Sequence, residues 1–394
     1  MDFTKLQAFL DRMAATRSPG NAIVVYHGGK EVFRYAAGYA DLETKTPMTG
    51  EEYVNIYSCS KVATVTAGAH LLERGAFLLS DPLYEYLPAF RHMSVRLPDG
   101  TLTEAKNPIR VGDLFSMTAG FHYDLGCPSI TRLCEETDKT FDTVAFANAM
   151  AGEPLAFEPG THWQYSLCHD VLGGLIAAVS GMPLAEYARK NLFEPLGITK
   201  LVYHHTPEVL ESMASQYVFV ADGENSTPET DAAKAYGKTE GGTFVNFGKG
   251  NRHALSPAFD SGGAGITTTA GEYAKFAAAM AQKGLGLNGE RILSSATVDL
   301  MRTNRLNAAC LADYNWPQVV GYGYGLGVRT HMDKAASGSL TSLGEFGWSG
   351  AAGATFLADP ERNLGLCYVQ HCLNPREEWY LPRLRNVVSA CLDA

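Results

Sequence analysis

The chain lacks any uninterrupted apolar run approaching the roughly 18 residues that suggest a membrane-spanning helix. It also lacks a basic stretch long enough to follow a phosphate backbone, and its 32 Lys+Arg stand against 42 Asp+Glu, a formal net charge of -10. Neither nucleic acid nor a membrane is therefore expected as a partner. Charged residues are scarce at 19%, whereas hydrophobic ones make up 46% of 394 residues, ample for a large buried core. A disordered scaffold, a peptide hormone and a small zinc module are excluded. The eight cysteines, at 59, 127, 134, 168, 310, 367, 372 and 391, form no CxxC pair and keep no regular spacing, so they read as reduced thiols. Phe3, Leu6, Phe9, Leu10 and Met13 fall on one helical face with charges between them, the pattern of a docking helix rather than a signal peptide. A cytoplasmic location is the resulting expectation.

What is present is arranged in blocks. Ala22-Ile23-Val24-Val25-Tyr26 reads as a strand, 27–30 as a turn and 31–35 as the returning arm of a hairpin. Residues 59–77 have helical periodicity and are apolar on more than one side, which predicts a buried helix. From about 80 to 255 the pattern is one of short helices, at 111–117, 141–150, 170–179 and 184–191, between polar loops. Residues 220–252, with Gly223, Gly237, Gly241, Gly242, Gly248 and Gly250, read as one irregular excursion, a candidate lid or pocket rim. Helices return at 270–282 and 294–301, followed by strands at 325–328, 354–358 and 364–369 and a closing helix at 381–391. Strands near both ends with helices between them predict an α/β (α+β) fold, an antiparallel sheet flanked by helices. The expected division is 1–75 with 256–394 as a discontinuous α/β domain and 76–255 as an inserted mainly helical domain.

Three stretches can carry chemistry. In Tyr57-Ser58-Cys59-Ser60-Lys61 a serine lies three residues before a lysine at the start of the apolar helix, so both share one face and the amine reaches the hydroxyl. That makes an acyl-transfer nucleophile beside free first-turn N–H groups; the plainer alternative is an N-capping serine followed by an exposed lysine. Tyr165 stands in a loop before a helix, either as an aromatic core plug or, beside an ammonium, as a general base. Phe346-Gly347-Trp348-Ser349-Gly350-Ala351 offers small residues where a substrate can approach a strand, or simply a Gly-rich turn over a buried Trp348. No GxSxG elbow and no HExxH occurs. His204 and His205 are adjacent and should point apart, His162 and His169 read as structural, and neither a metal nor a cofactor is expected.

Together and in this order the stretches resemble the serine β-lactamase and penicillin-binding-protein superfamily, particularly class C β-lactamases and family VIII esterases. Ser58 and Lys61 match its SxxK motif, Tyr165 the tyrosine of its second motif, and Trp348-Ser349-Gly350 its third. The resemblance extends through 108–121 and 257–270 and spans about residues 20 to 375. It implies the β-lactamase/transpeptidase fold. It also implies that Ser58 attacks an ester carbonyl while the Lys61 and Tyr165 pair takes its proton, with the N–H groups of Ser58 and Ala351 as oxyanion hole. Two departures separate the members of the superfamily. Leu167 stands where class C enzymes have an asparagine, and Trp348 stands where they have a lysine. Both replace polar recognition by apolar surface, so Leu167, Trp348, Ser349 and Gly350 are expected to bind short-chain esters in preference to β-lactams. A β-lactamase or D-Ala-D-Ala peptidase, an acyltransferase, and a non-catalytic binding protein on the same fold remain the alternatives.

Overall fold

The architecture comes from a computed structural model, which describes residues 1–222, 227 and 241–394. Eight antiparallel strands form its main sheet. Three come from the first part of the chain, β1 (Gly20–His27), β2 (Lys30–Asp41) and β3 (Thr46–Pro47). Five come from the last part, β4 (Tyr322–Tyr324), β5 (Arg329–His331), β6 (Phe346–Ser349), β7 (Thr355–Asp359) and β8 (Leu364–Val369). The spatial order is β4-β5-β6-β7-β8-β1-β2-β3, so the two parts of the chain join where β1 pairs with β8.

Both faces of this sheet are covered, which explains why β1 is apolar without alternation. Ile23 and Val25 point one way, with Leu364, Leu366 and Tyr368 of β8, onto the helices α1 (Thr4–Thr16) and α7 (Glu377–Leu392). Ala22 and Val24 point the other way, into the main core. There the alanine-rich α6 (Ala270–Ala281) lies so close that a methyl on Gly365 of β8 would stand 2.5 Å from the backbone of Ala277. α1 is the docking helix its periodicity predicted. Leu6, Phe9, Leu10 and Met13 are at most 2% exposed, each contributing about 1.5–3 kcal/mol by burial. Leu10→Ala is expected to cost about 2–5 kcal/mol, read as a lower denaturation midpoint at unchanged slope.

Helices fill the other side of the main core. α2 (Ser60–Leu72) is buried from Ser60 to Leu71, as its all-round apolar sequence requires. Against it packs α5 (Cys168–Ser180), which in turn carries α3 (Val111–Ser116) and α4 (Thr143–Met150). A small sheet, with Thr267–Thr268 between Val54–Asn55 and Leu201–Val202, ties the chain just before α2 to the segment leading into α6.

Two expectations are corrected. Residues 325–328 are no strand but the turn joining β4 to β5, closed by Gly325 N–H to Val328 C=O at 2.8 Å. Gly327 adopts φ +73°, a conformation glycine favours, so the glycines there mark a turn. The stretch 220–252 is not wholly irregular: Gln216–Ala221 and Gly242–Gly248 pair as an antiparallel hairpin. Its remainder at 223–226 and 228–240, including Gly223 and Gly237, lies outside the described residues. No single helix among the described residues is long and apolar enough to cross a membrane.

Candidate active site

Ser58 sits on a single 3-10 turn, Tyr57–Cys59, that runs directly into α2. The residue before it, Tyr57, is held at φ +43° without being glycine, a conformation that costs about 1–3 kcal/mol and must be enforced by its surroundings. Tyr57 is anchored by its hydroxyl, which donates to Gln216 Oε1 at 2.8 Å. Gly350, just past β6, is the second constraint: a methyl there would stand 2.0 Å from the carbonyl oxygen of Ile56. Only glycine allows the end of β6 to close against the turn that carries Ser58.

The helix places Lys61 one turn on, fully buried, with Nζ 3.2 Å from Ser58 Oγ. Its other two acceptors are the carbonyl of Gly263 at 2.8 Å and the hydroxyl of Tyr123 at 3.4 Å. Tyr165, from the loop before α5, donates its hydroxyl to Ser58 Oγ at 2.6 Å. The indole N–H of Trp348 on β6 points at the same Tyr165 oxygen from 3.4 Å. Lys61 and Tyr165 thus meet at the Ser58 hydroxyl, Trp348 reaches the Tyr165 hydroxyl behind it, and Ser58 itself keeps 8% of its surface open.

The electrostatics centre on Lys61. Burial works against its ammonium, but Tyr123, Tyr165 and the Asp170 carboxylate outweigh that penalty and hold the amine above its ordinary value. Tyr123 is pushed up to about 12, chiefly by burial. His253, edge-on to Tyr123 at 6.0 Å, is depressed to about 4 by burial and is neutral at pH 7. Lys61 Nζ also lies 4.7 Å above the Tyr165 ring and 5.2 Å above that of Tyr123.

Tyr123 escaped the sequence reading. It stacks on Tyr165 with ring centroids 5.2 Å apart and planes 7° apart, and it shares Lys61 with it. The only trace of it in the sequence was its place two residues beyond the matched stretch 108–121. A cluster beside it, His122, Cys127 and Glu153, brings three donor atoms within 4.8 Å of one another and could meet at a metal ion. Its wiring opposes that use. His122 Nδ1 is taken up by the N–H of Asp124 at 3.1 Å, and its Nε2 by the Glu153 carboxylate at 3.5 Å. The cluster braces the Tyr123 loop.

The third-motif residues are less open than expected. Trp348 is only 3% exposed, stacked on Tyr165 at 5.8 Å and covered edge-on by Tyr324 at 5.1 Å. Trp316 adds a further wall, 5.3 Å from Tyr165 and 5.4 Å from Trp163. Ser349 donates its hydroxyl to the Glu377 carboxylate at the start of α7. The N–H of Ala351 has no protein acceptor among the described residues and lies at an exposed turn. Leu167 requires a correction: its side chain is fully buried in the core and offers a substrate no surface. It is the residue before α5, and its N–H bonds the carbonyl of His122 at 3.0 Å, which fixes the backbone there.

The histidines are otherwise engaged. His204 pairs with Asp260 at 2.8 Å, His205 with Thr267 Oγ1 at 2.8 Å, and His162 with Asp313 at 2.9 Å. His169 is buried against the carbonyl of Phe115 at 3.2 Å.

The fold and the site define a serine hydrolase. The family model described as Beta-lactamase matches residues 6–387, and the chain belongs to that family. It is 29% identical over 350 residues to an uncharacterized protein of Mycobacterium tuberculosis (strain CDC 1551 / Oshkosh), covering 85% of this chain and 81% of that one. It is 28% identical over 370 residues to esterase EstB of Burkholderia gladioli, covering 92% and 88% of the two chains. Among solved structures, EstCE1, a hydrolase with promiscuous acyltransferase activity, superposes with a TM-score of 0.78 at 24% identity, over 98% of this chain and 97% of that one.

Proposed function

We propose that the protein hydrolyses short-chain carboxylic esters through an acyl-enzyme on Ser58. The observation that carries this reading is the convergence on Ser58 Oγ of the Tyr165 hydroxyl at 2.6 Å and the Lys61 amine at 3.2 Å. Because Lys61 is held as an ammonium, the atom left to accept the Ser58 proton is the Tyr165 oxygen, which does so as a phenolate paired with the Lys61 ammonium once its own hydroxyl proton has passed to solvent. Ser58 Oγ then bonds the acyl carbon, and the carbonyl oxygen is held by the N–H groups of Ser58 and Ala351. Tyr165 returns the proton to the leaving alcohol as the ester C–O bond breaks. Water, giving a proton to Tyr165, finally releases the acid and restores Ser58.

Support for esters over β-lactams comes from the third motif. It presents the Trp348 indole where the related lactamases have a lysine, and the Ser349 hydroxyl is already committed to a carboxylate. The motif itself supplies no cation to a substrate carboxylate, and its serine already faces an acid. The similarity to EstB, which is named an esterase, points the same way.

Three assays test the proposal together. A fluorophosphonate is expected to label Ser58, p-nitrophenyl butyrate to be turned over, and nitrocefin to react at least about 100-fold more slowly in kcat/KM. Folded protein that takes no label and leaves the ester intact would refute it, and comparable rates on both substrates would move the reading to a β-lactamase.

A further inference from the structure

Lys61 poses a problem of charge balance. It is fully buried, it uses all three N–H groups, and its acceptors Ser58, Tyr123 and Gly263 include no carboxylate. A buried ammonium without compensation is unstable in its charged form. The missing charge lies one peptide away. Asp170, in the first turn of α5, is fully buried. Its Oδ1 accepts the N–H of Gly263 at 3.0 Å and the Ser261 hydroxyl at 2.6 Å. Its Oδ2 is buried with no hydrogen-bond partner among the described residues. Gly263 is therefore a bridge: its N–H points to the carboxylate, and its C=O receives Lys61 Nζ at 2.8 Å. The approach requires glycine, since a methyl at 263 would stand 2.4 Å from Asp170 Oδ2.

We infer that Asp170 is the positioning residue of the active site, a buried countercharge that acts on Lys61 through the Gly263 peptide and keeps its amine protonated beneath Ser58 and Tyr165. The inference rests on the proposed role of Ser58. The other titratable groups facing Lys61 are Tyr123 from the loop after α3, Tyr165 and His169 from around the start of α5, and His253 from the segment preceding α6. Both histidines are kept neutral by burial, at about 3 and about 4, and Tyr123 is pushed up to about 12. Asp170 is the one carboxylate in this set, and its charge is among the causes that raise the Lys61 amine.

The isosteric variant Asp170→Asn separates charge from structure. Its amide oxygen can accept the same two hydrogen bonds, and its NH2 would occupy the place where Oδ2 has no partner. The experiment measures the rate of fluorophosphonate labelling of Ser58 across pH, with circular dichroism confirming the fold. Loss of the countercharge lowers the Lys61 pKa, so the alkaline fall of the profile is expected to move to lower pH by about one unit or more. Gly263→Ala, which pushes the carboxylate off the bridge, should shift the profile the same way and serves if Asp170→Asn does not fold. Ser261→Ala keeps the charge and should leave the alkaline limb in place. A profile for Asp170→Asn that superimposes on the parent's overturns the inference, as does a Ser261→Ala shift of equal size, which would assign the effect to packing. A parent protein that takes no label at Ser58 removes the nucleophile reading itself, a distinct outcome that takes this inference with it.

Discussion

Replacing Ser58 with alanine is expected to lower kcat on p-nitrophenyl butyrate by on the order of 10⁴-fold or more and to abolish fluorophosphonate labelling, without loss of the fold. The size follows from the geometry. Tyr165 and Lys61 both address Ser58 Oγ, at 2.6 Å and 3.2 Å, and neither has another oxygen nucleophile to activate once it is gone. On the proposed mechanism what remains is polarisation of the ester by the oxyanion donors, which accelerates attack by water but makes no acyl-enzyme. The turn itself should persist, because Tyr57 is held by Gln216 and Gly350 closes against Ile56 whether or not residue 58 has a hydroxyl. Turnover by Ser58→Ala within about tenfold of the parent would mean that another group attacks the ester, and mass spectrometry of the labelled parent would identify it.

The parts of this site differ in how legible they were, and the reason is the range of the contacts. Ser58 and Lys61 lie three residues apart, so helical periodicity alone puts them on one face and within reach. Tyr165 meets Ser58 across 107 positions and Trp348 meets Tyr165 across 183; only the ordered match to a known family suggested that they belong together. Tyr123 and Asp170 carried no local mark. Each acquires its role by contact with Lys61 or with the peptide that Lys61 binds, and nothing in the residues around them specifies that contact. Leu167 illustrates the opposite failure. Its position two residues after Tyr165 was read as substrate-facing, but a residue type does not fix which side of a loop turns inward, and here it is fully buried. The main sheet was legible in its buried apolar runs, as in β1 and β8. The strand placed at 325–328 was misread because glycine and apolar residues alternate there as in a strand, while the left-handed conformation of Gly327 makes a turn.

Tyr165→Phe carries the second large effect and decides which group takes the proton. The substitution removes one oxygen and leaves the ring, so the stacks with Tyr123 at 5.2 Å and Trp348 at 5.8 Å should hold the loop in place. Binding of a neutral ester depends on those walls and not on the hydroxyl, so KM should change by less than about threefold. The chemical step depends on the phenol oxygen in both halves of the reaction, where it takes the Ser58 proton and supplies it to the leaving alcohol, then takes a proton from the attacking water. Its loss is therefore expected to lower kcat by about 10²–10⁴-fold. Lys61 cannot substitute near neutral pH: Tyr123, Tyr165 and Asp170 hold its amine above the ordinary range, and an ammonium has no lone pair to offer. Were the lysine the base, Tyr165→Phe would retain most of its kcat, because the Lys61 contact to Ser58 at 3.2 Å does not pass through the phenol. A kcat within about fivefold of the parent would thus reverse the two roles, leaving Ser58 as nucleophile but making Lys61 the acceptor.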